Sequence, residues 1–474
     1  MNVMVSYGVY VPYWRLDRGR IGEALGTFGS GTRAVASHDE DTTTMGVEAA
    51  RACLAAAPDG VEVGQVLFAT SDPAYLDKTN ATAIHAALDL DSGASAFDMM
   101  GSVNSGSGAL VAAASAAVPT LVVLSDIRTG LPGGADESGG GDGAVAFLFA
   151  PDGPALLESL GRGVATEEFL DRWRSPGDDH SRLWEERFGE HAYVPLAEQA
   201  VADALKSAGL GPDGVDRVIV TGVHPRAARV VSRSLGFPAE TLVDDLTGVI
   251  GNTGTAHQGI VLADLLDRVE PGKVVLRVTL ADGARAAIGR TTDALSEWRA
   301  RRPSVASVAT QIAAGRTDLD YPRFLTWRGQ LHREPPRRPD PTPPVAPASL
   351  RKETWKFAFH ASRCDECGTR HLPPARVCVS CGAVDRMSQE RLAETPATVA
   401  TYTVDRLAFS LSPPVVAAVV DFDGGGRFRC EMTDVDPDTV AIGNRVEMTF
   451  RRISTVGGIH NYFWKARPAR EGES

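Results

Sequence analysis

Phe97-Asp-Met-Met-Gly-Ser-Val-Asn-Ser-Gly-Ser-Gly-Ala-Leu110 decides the fold. Residues 97–100 have strand character, a Gly/Ser turn follows, and an Ala-rich helix runs from about 106 to 117. A buried strand passing directly into a helix is a building block of an α/β domain. Upstream, residues 44–57 and 82–88 carry apolar positions at helical spacing, with a β-branched strand at 63–69 between them. Downstream, 120–125 and 143–149 read as strands. The order then returns: helix 196–207, strand 217–222, helix 258–266, and strands 273–280 and 285–290. The shared rhythm of two halves, about 1–165 and 190–325, predicts an internal duplication around a largely buried sheet.

The chain has 474 residues, so roughly two to four domains are expected at ~150 residues each. Hydrophobic residues make up 43% and charged residues 23%, the mix of a globular protein. A net charge of −12 argues against a general nucleic-acid or membrane-surface binder, which needs a basic face. The longest apolar run, 109–124, is broken by Ser115 and Pro119 and falls short of the ~20 residues a spanning helix needs. No targeting segment is visible at 1–15, and the expected location is cytoplasmic.

From Pro335 to Pro347 seven of thirteen residues are proline, so neither a helix nor a central strand is expected there. This predicts a semi-rigid linker over 331–350, with Arg333, Arg337 and Arg338 at its start, separating two cores. Before it lies an α/β domain, 1–330; after it come a cysteine-rich ribbon, 351–385, and a small all-β domain, 386–474. In the last segment short β runs at 397–403, 415–422, 427–432 and 446–451 suit a small barrel, with Asp423-Gly-Gly-Gly426 as a hairpin turn.

Cys364-Asp-Glu-Cys367-Gly and Cys378-Val-Ser-Cys381-Gly are two CxxC knuckles ten residues apart. Four thiolates converging this way complete a closed tetrahedral zinc site, which organises a fold and leaves no position for Lewis-acid chemistry. Cys53 and Cys430 lie in helix and strand patterns and read as buried bystanders. A ribbon joined to a barrel also occurs in nucleic-acid binders, but these strands carry no aromatics interleaved with basic residues, so no nucleic-acid partner is expected.

The N-terminal part resembles the thiolase superfamily, in its hydroxymethylglutaryl-CoA synthase and initiating ketoacyl synthase branch. The residues that carry this are Asp39-Glu-Asp-Thr-Thr-Thr-Met45, the 97–110 stretch, Gly139-Gly-Gly-Asp-Gly-Ala-Val-Ala146, His224-Pro-Arg226 and Gly251-Asn-Thr-Gly254. The C-terminal part resembles the rubredoxin-like zinc ribbon plus OB-fold of acyl-CoA-associated proteins. Tyr321-Pro-Arg-Phe-Leu-Thr-Trp-Arg-Gly-Gln330 resembles the junction of proteins that fuse both modules. The resemblance implies duplicated αβαβα layers followed by ribbon and barrel, a coenzyme A or acyl-carrier thioester as substrate, and a homodimer. The helix after Gly106 and the strand 120–125 are expected near its two-fold axis.

In that family a cysteine at a helix N-terminus takes the acyl group. The corresponding position here is Val103, and no cysteine occurs between Cys53 and Cys364. The catalytic glutamate is also missing from the matching turn, Ala69-Thr-Ser-Asp-Pro73. His224 and Asn252 match the pair that handles the oxyanion, with Gly251 and Gly254 shaping the substrate loop. Ser102 and Ser105 are further nucleophile candidates, although a serine needs a base within reach. Asp72, Tyr75 and Asp77 are acid–base candidates, and His257 faces either the cleft or solvent. Residues 139–143 either approach CoA phosphates or form a tight turn. Residues 171–188, with Trp173 and Trp184, resemble a substrate-covering insertion, a surface helix being the alternative. The expected activity is carbon–carbon bond formation or cleavage through a non-covalent enolate, by aldol, retro-aldol or decarboxylation chemistry. The alternative is a non-catalytic helper that binds acyl-CoA and bridges a partner thiolase or synthase.

Overall fold

The structure, a computed structural model, describes residues 2–302, 306–337, 339 and 341–470. Arg338 of the linker and 471–474 at the chain end lie outside the described residues. The strands of the large domain are β1 (Val3–Tyr10), β2 (Gln65–Thr70), β3 (Ser95–Met100), β4 (Thr120–Asp126), β5 (Gly143–Ala150), β6 (Leu157–Ala165), β7 (Arg217–Gly222), β8 (Val274–Leu280) and β9 (Ala284–Thr291). Its main helices are α1 (Thr42–Ala55), α2 (Asn104–Ser115), α3 (Glu186–Ala208), α4 (Pro225–Ser234) and α5 (His257–Arg268).

All nine strands join one mixed sheet in the order β7-β8-β9-β6-β1-β5-β4-β2-β3. The duplication shows in its pairing. β2-β4-β5-β1 pair parallel, antiparallel, antiparallel, and β7-β8-β9-β6 repeat that series. A short parallel bridge from Val218 to Leu242 stands where β3 pairs with β2 in the first half. The close packing repeats as well. A Cβ at Gly8 of β1 would overlap the α1 backbone at Cys53, and Cβ atoms at Gly161 and Gly163 of β6 would overlap α3 at Ala204 and Ala200. Glycine lets each helix backbone lie against its strand.

The strand expected beside a two-fold axis, β4, is buried within the sheet between β2 and β5. The edge is β3, which follows β2 outward and carries half-exposed and exposed side chains. The helix expected to start after Pro195 instead starts at Glu186 and runs through that proline. Tyr193 is buried against Phe169, which anchors the early turns.

After the linker, His360–Cys364, Arg370–His371 and Met387–Arg391 make the three-stranded ribbon sheet. Five strands then close a barrel: β10 (Ala397–Asp405), β11 (Val415–Phe422), β12 (Arg427–Met432), β13 (Arg445–Val456) and β14 (Ile459–Pro468). The linker is not free of helix: Ala346–Arg351 is helical, with Pro347 in its first turn, where no amide donor is needed.

The two cores are not separated. A single hydrophobic cluster runs from Val5, Met45 and Ala50 into Phe359, Phe450 and Trp464. Beside it lies a buried charged seam. Arg451 of β13 pairs with Glu40 and Asp434 and faces Asp39 at 3.7 Å. Lys465 of β14 reaches Asp39 at 3.0 Å, and Tyr462 donates to Asp41 at 2.8 Å. Glu48 of α1 pairs with Arg467 at 2.9 Å and accepts from the Phe450 amide at 3.1 Å. The motif 39–45 is therefore the socket for the barrel's last hairpin.

Burial alone would push the Glu48 carboxyl up, but Arg467 and Arg51 outweigh it and hold the pKa down to about 2. A depressed folded-state pKa contributes stability that is present above the unfolded value and lost as pH falls. Glu48 is therefore expected to contribute on the order of 3 kcal/mol near neutrality. That contribution should disappear between about pH 4.5 and pH 2. Urea unfolding across this range checks it: Glu48→Gln should lower stability at pH 7 and flatten the acid limb.

Candidate functional site

The site forms where the halves meet. β7 ends at Gly222, and His224 caps α4, with Pro225 at the first helical position. The His224 Nδ1 accepts from the Ala227 amide at 3.0 Å. A nitrogen that accepts carries no proton, so neutral His224 holds its proton on Nε2. Asn252 lies on the facing loop. Its Nδ2 donates to the Gly222 carbonyl at 2.8 Å, and its Oδ1 accepts from the Gly254 amide at 2.9 Å. One Nδ2 hydrogen remains for a ligand.

Gly251 holds φ at 76°, and a Cβ there would overlap the Gly140 carbonyl. The loop 139–143 thus braces Asn252, and its Gly139 and Gly140 line the cavity beside it. Asn252 donates its amide to Gly139 and accepts from Gly141, both at 2.9 Å. Asp142 is itself clamped by Arg33 and Arg328. His224 and Asn252 line one cavity of about 90 Å³, with Arg128, Asp171, Trp184 and Arg229.

Residues 171–188 form no surface helix before Glu186. Arg172–Trp173 and Arg182–Leu183 make a short hairpin, closed by the Trp184 amide on the Asp171 carbonyl at 2.8 Å. It covers the cavity. Burial raises the Asp171 pKa, with His224 opposing it. Tyr193 lies 6.2 Å from the His224 ring, and burial followed by the Asp171 charge raises its pKa. Asp171 and Tyr193 are site residues with no local motif to announce them.

Val103 caps α2, in the helical region of φ and ψ, one residue before the helix begins. It does not line the His224 cavity. The α2 start nevertheless packs on the Asn252 loop: a Cβ at Gly106 would lie 2.9 Å from Thr255. Ser105 donates to the Met100 carbonyl at 3.3 Å, a hydrogen bond within the turn, and Ser102 is half-buried beside it. Asp126 ties the regions together, accepting from the amides of Ser71 and Thr255, each at 2.6 Å.

The three acid–base candidates separate. Tyr75 accepts from the His460 amide at 2.8 Å and is engaged by the barrel. Asp77 is exposed. Asp72 sits beside Arg174 at 3.7 Å, and burial raises its pKa to about 6 against that cation. His257 does not face solvent. It is buried, its Nδ1 lies 3.3 Å from the Thr253 amide, and burial lowers its pKa to about 4.

The four cysteine sulfurs lie within 4.8 Å of one another, with Cys364 to Cys381 at 3.6 Å and Cys367 to Cys378 at 3.5 Å. A tetrahedron with metal–sulfur bonds of ~2.3 Å has edges of ~3.8 Å, so this donor set fits one ion.

A family model for the C-terminal OB-fold domain of ChsH2 matches residues 390–451. A hydroxymethylglutaryl-CoA synthase of Aeropyrum pernix is 31% identical over 345 residues, covering 69% of this chain and 94% of that protein. The chain belongs to the hydroxymethylglutaryl-CoA synthase family. The Pyrococcus furiosus synthase is 29% identical over 340 residues, covering 69% of this chain and 95% of its own. Among solved structures, a synthase complexed with CoA superposes with a TM-score of 0.60 at 19% identity, over 68% of this chain and 89% of that one. A synthase bound to 3-hydroxy-3-methylglutaryl coenzyme A gives 0.59 at 19%, over 82% and 99%. These confirm a thiolase-like α/β fold. Among the described residues no helix of this synthase-family chain is long and apolar enough to cross a membrane.

A Cβ placed on Gly189 would fall 2.6 Å from the His224 Nε2. Gly189→Ala is therefore expected to displace the ring without touching its cap. In ¹⁵N-histidine spectra at pH 8, wild-type His224 should show the Nε2–H tautomer. Gly189→Ala should shift that resonance, and an Nδ1–H wild-type signal would contradict the geometry.

Proposed function

We propose that the chain acts on acyl-CoA or acyl-carrier thioesters, making or breaking a carbon–carbon bond through an enolate without forming an acyl-enzyme. The observation that carries this is the His224–Asn252 donor pair in one cavity, taken with a neighbouring helix start that carries no thiol. His224 and Asn252 share a cavity with donor hydrogens available. The helix N-terminus that would activate a thiol holds Val103 instead.

In this reading the thioester carbonyl lies against the His224 Nε2–H and the remaining Asn252 N–H. Charge developing on the oxygen is stabilised by donors already fixed by the Ala227 amide and the Gly222 carbonyl. Asp171 lines the same cavity and is the carboxylate placed to accept the proton. Arg229 at the cavity mouth makes no ion pair among the described residues and is placed for the CoA phosphates. The reading includes a cytoplasmic homodimer, supported by the open edge of β3 with Phe97 exposed beside it. Aldol, retro-aldol and decarboxylation reactions all share this enolate.

A second reading, a non-catalytic subunit that binds acyl-CoA and bridges a partner thiolase, is favoured by one fact: most of the Asn252 amide is spent on the Gly222 carbonyl and its own loop. Mass spectrometry with acetyl-CoA and a panel of acyl-CoAs separates the two. Condensed or cleaved products without a covalent adduct are expected, and no turnover would favour the bridging role. His224→Ala should lower turnover by ~10² or more. Val103→Cys should be alkylated by iodoacetamide faster than the native cysteines, because a helix N-terminus lowers a thiol pKa. Wild-type acylation at Ser102 or Ser105 would overturn the non-covalent mechanism.

We also propose structural zinc on Cys364, Cys367, Cys378 and Cys381, supported by the sulfur spacing. Elemental analysis should give one zinc per chain, and Cys378→Ser should abolish it. Because ribbon, barrel and large domain share a core, metal loss should lower the melting temperature of the whole chain.

A further inference from the structure

A second cavity, of about 420 Å³, opens between the outer face of α2 and the β6-β9-β8 face of the sheet. Its walls are of two kinds. Leu110, Val111 and Val164 give an apolar side, with Val111 44% and Val164 43% exposed. Arg162, Arg277 and Arg285 give a cationic side.

The arginines are unusual for this chain. With a net charge of −12, arginines elsewhere find carboxylates readily, as at Asp142 and Glu48. Here Arg162 and Arg277 make no hydrogen bond or ion pair among the described residues. The Arg277 Nε is fully buried and unpartnered. Burial lowers the Arg277 pKa to about 10, with no carboxylate near enough to oppose it. Arg285 makes one contact, Nε to Asn104 Oδ1 at 3.3 Å. Deeper in, Gln258 spans Ser107 at 3.2 Å and Thr279 at 3.1 Å and closes the floor with satisfied polar groups.

A buried guanidinium without an anion is costly, and charge-assisted, often bidentate hydrogen bonding to a carboxylate is its strongest remedy. One such group, Arg277, with half-buried Arg285 beside it and exposed Arg162 at the rim, faces the apolar wall and selects a ligand with a single anionic head and an aliphatic tail. The volume falls in the range of small-molecule sites.

We propose that this cavity binds a medium-chain carboxylate, its head on Arg277 and Arg285 and its tail along Leu110 and Val111. The site is separate from the His224 cavity, and equilibrium binding tests it whether or not His224 is catalytic. Two sources share this chemistry: a free fatty acid, and the far carboxylate of a dicarboxylic acyl thioester.

Calorimetric titration of the full chain with octanoate and with octan-1-ol is the test. Octanoate should bind once per chain, and the alcohol at least tenfold more weakly. Arg277→Gln and Arg285→Gln should each weaken octanoate at least tenfold, the loss of about one charged hydrogen bond. Light scattering should give both variants the wild-type oligomeric state. Using Arg285→Gln as well keeps the test valid if Arg277→Gln folds poorly. Displacement of octanoate by the CoA monothioester of octanedioic acid, but not by octanoyl-CoA, would support the site with the substrate's far carboxylate as its anion. Displacement by neither would support it with a free acid. Equal affinity for octanoate and octanol, or no octanoate binding, would overturn the proposal. So would a change of oligomeric state in both variants without a change in binding, which would mean that a second copy's acid fills the arginine pocket.

Discussion

The Arg451 guanidinium, buried between Asp39, Glu40 and Asp434, is the constraint on which the rest of the molecule depends. A charge taken out of water is tolerated only when its partners are fixed, and removing one partner of such a group costs about 3–5 kcal/mol. Two of these partners come from the large domain and one from the barrel. The cluster therefore reports on docking: it is satisfied in one relative position of the two modules and unsatisfied in any other. The adjoining apolar contacts of Met45 and Phe450 supply non-directional attraction, and the ions select the register.

That register matters at the site. The hairpin that carries Arg451 ends in His460, whose amide donates to Tyr75 and whose ring lies 3.2 Å from the Ala74 carbonyl. The turn that presents Asp72 is thus held from outside by the barrel. On the other side Arg328 and Tyr321 of the junction grip Asp142 and Glu137, which flank the glycine loop that braces Asn252. The barrel thus braces a turn beside the site, and the junction braces the glycine loop. Fusing the modules in one chain raises the effective concentration of the barrel at this surface.

Much of this was legible in the sequence, and the failures have physical causes. The strand–turn–helix at 97–110, the parallel strands and the cysteine knuckles follow from period and spacing, and they emerge within a few residues of their expected ends. Two strands carried no such signal. β6 alternates glycine with exposed Glu158 and Arg162, and β14 buries Lys465 and Arg467. In each case a tertiary demand, close helix approach or ion pairing, replaced the apolar residues by which strands are recognised. The linker misled differently. Proline excludes a helix interior but not a first turn, and Trp355 beyond it packs on Phe359 and Phe463, so the segment lies against the barrel. At the site, His224 and Asn252 sit in short motifs, whereas Asp171 and Tyr193 reach them only through the folding of a hairpin and a long helix.

If no side chain takes the acyl group, as proposed, the remaining groups carry the chemistry. A thiolase-type site divides its work between a thiol that holds the acyl group and donors that stabilise the oxyanion. On the proposed reading, substrate is held by non-covalent contacts alone, and binding energy supplies the positioning a covalent acyl-enzyme would have given. His224 is suited to the part that survives. Its Nδ1 is committed to a backbone amide, so the neutral ring acts through one donor, Nε2–H, and presents no free base nitrogen. On that reading proton abstraction comes from another group, and Asp171 is a carboxylate that lines the same cavity. A fixed donor paired with a separate carboxylate base is the division of labour an enolate requires. It explains why losing the cysteine need not empty the site of chemistry.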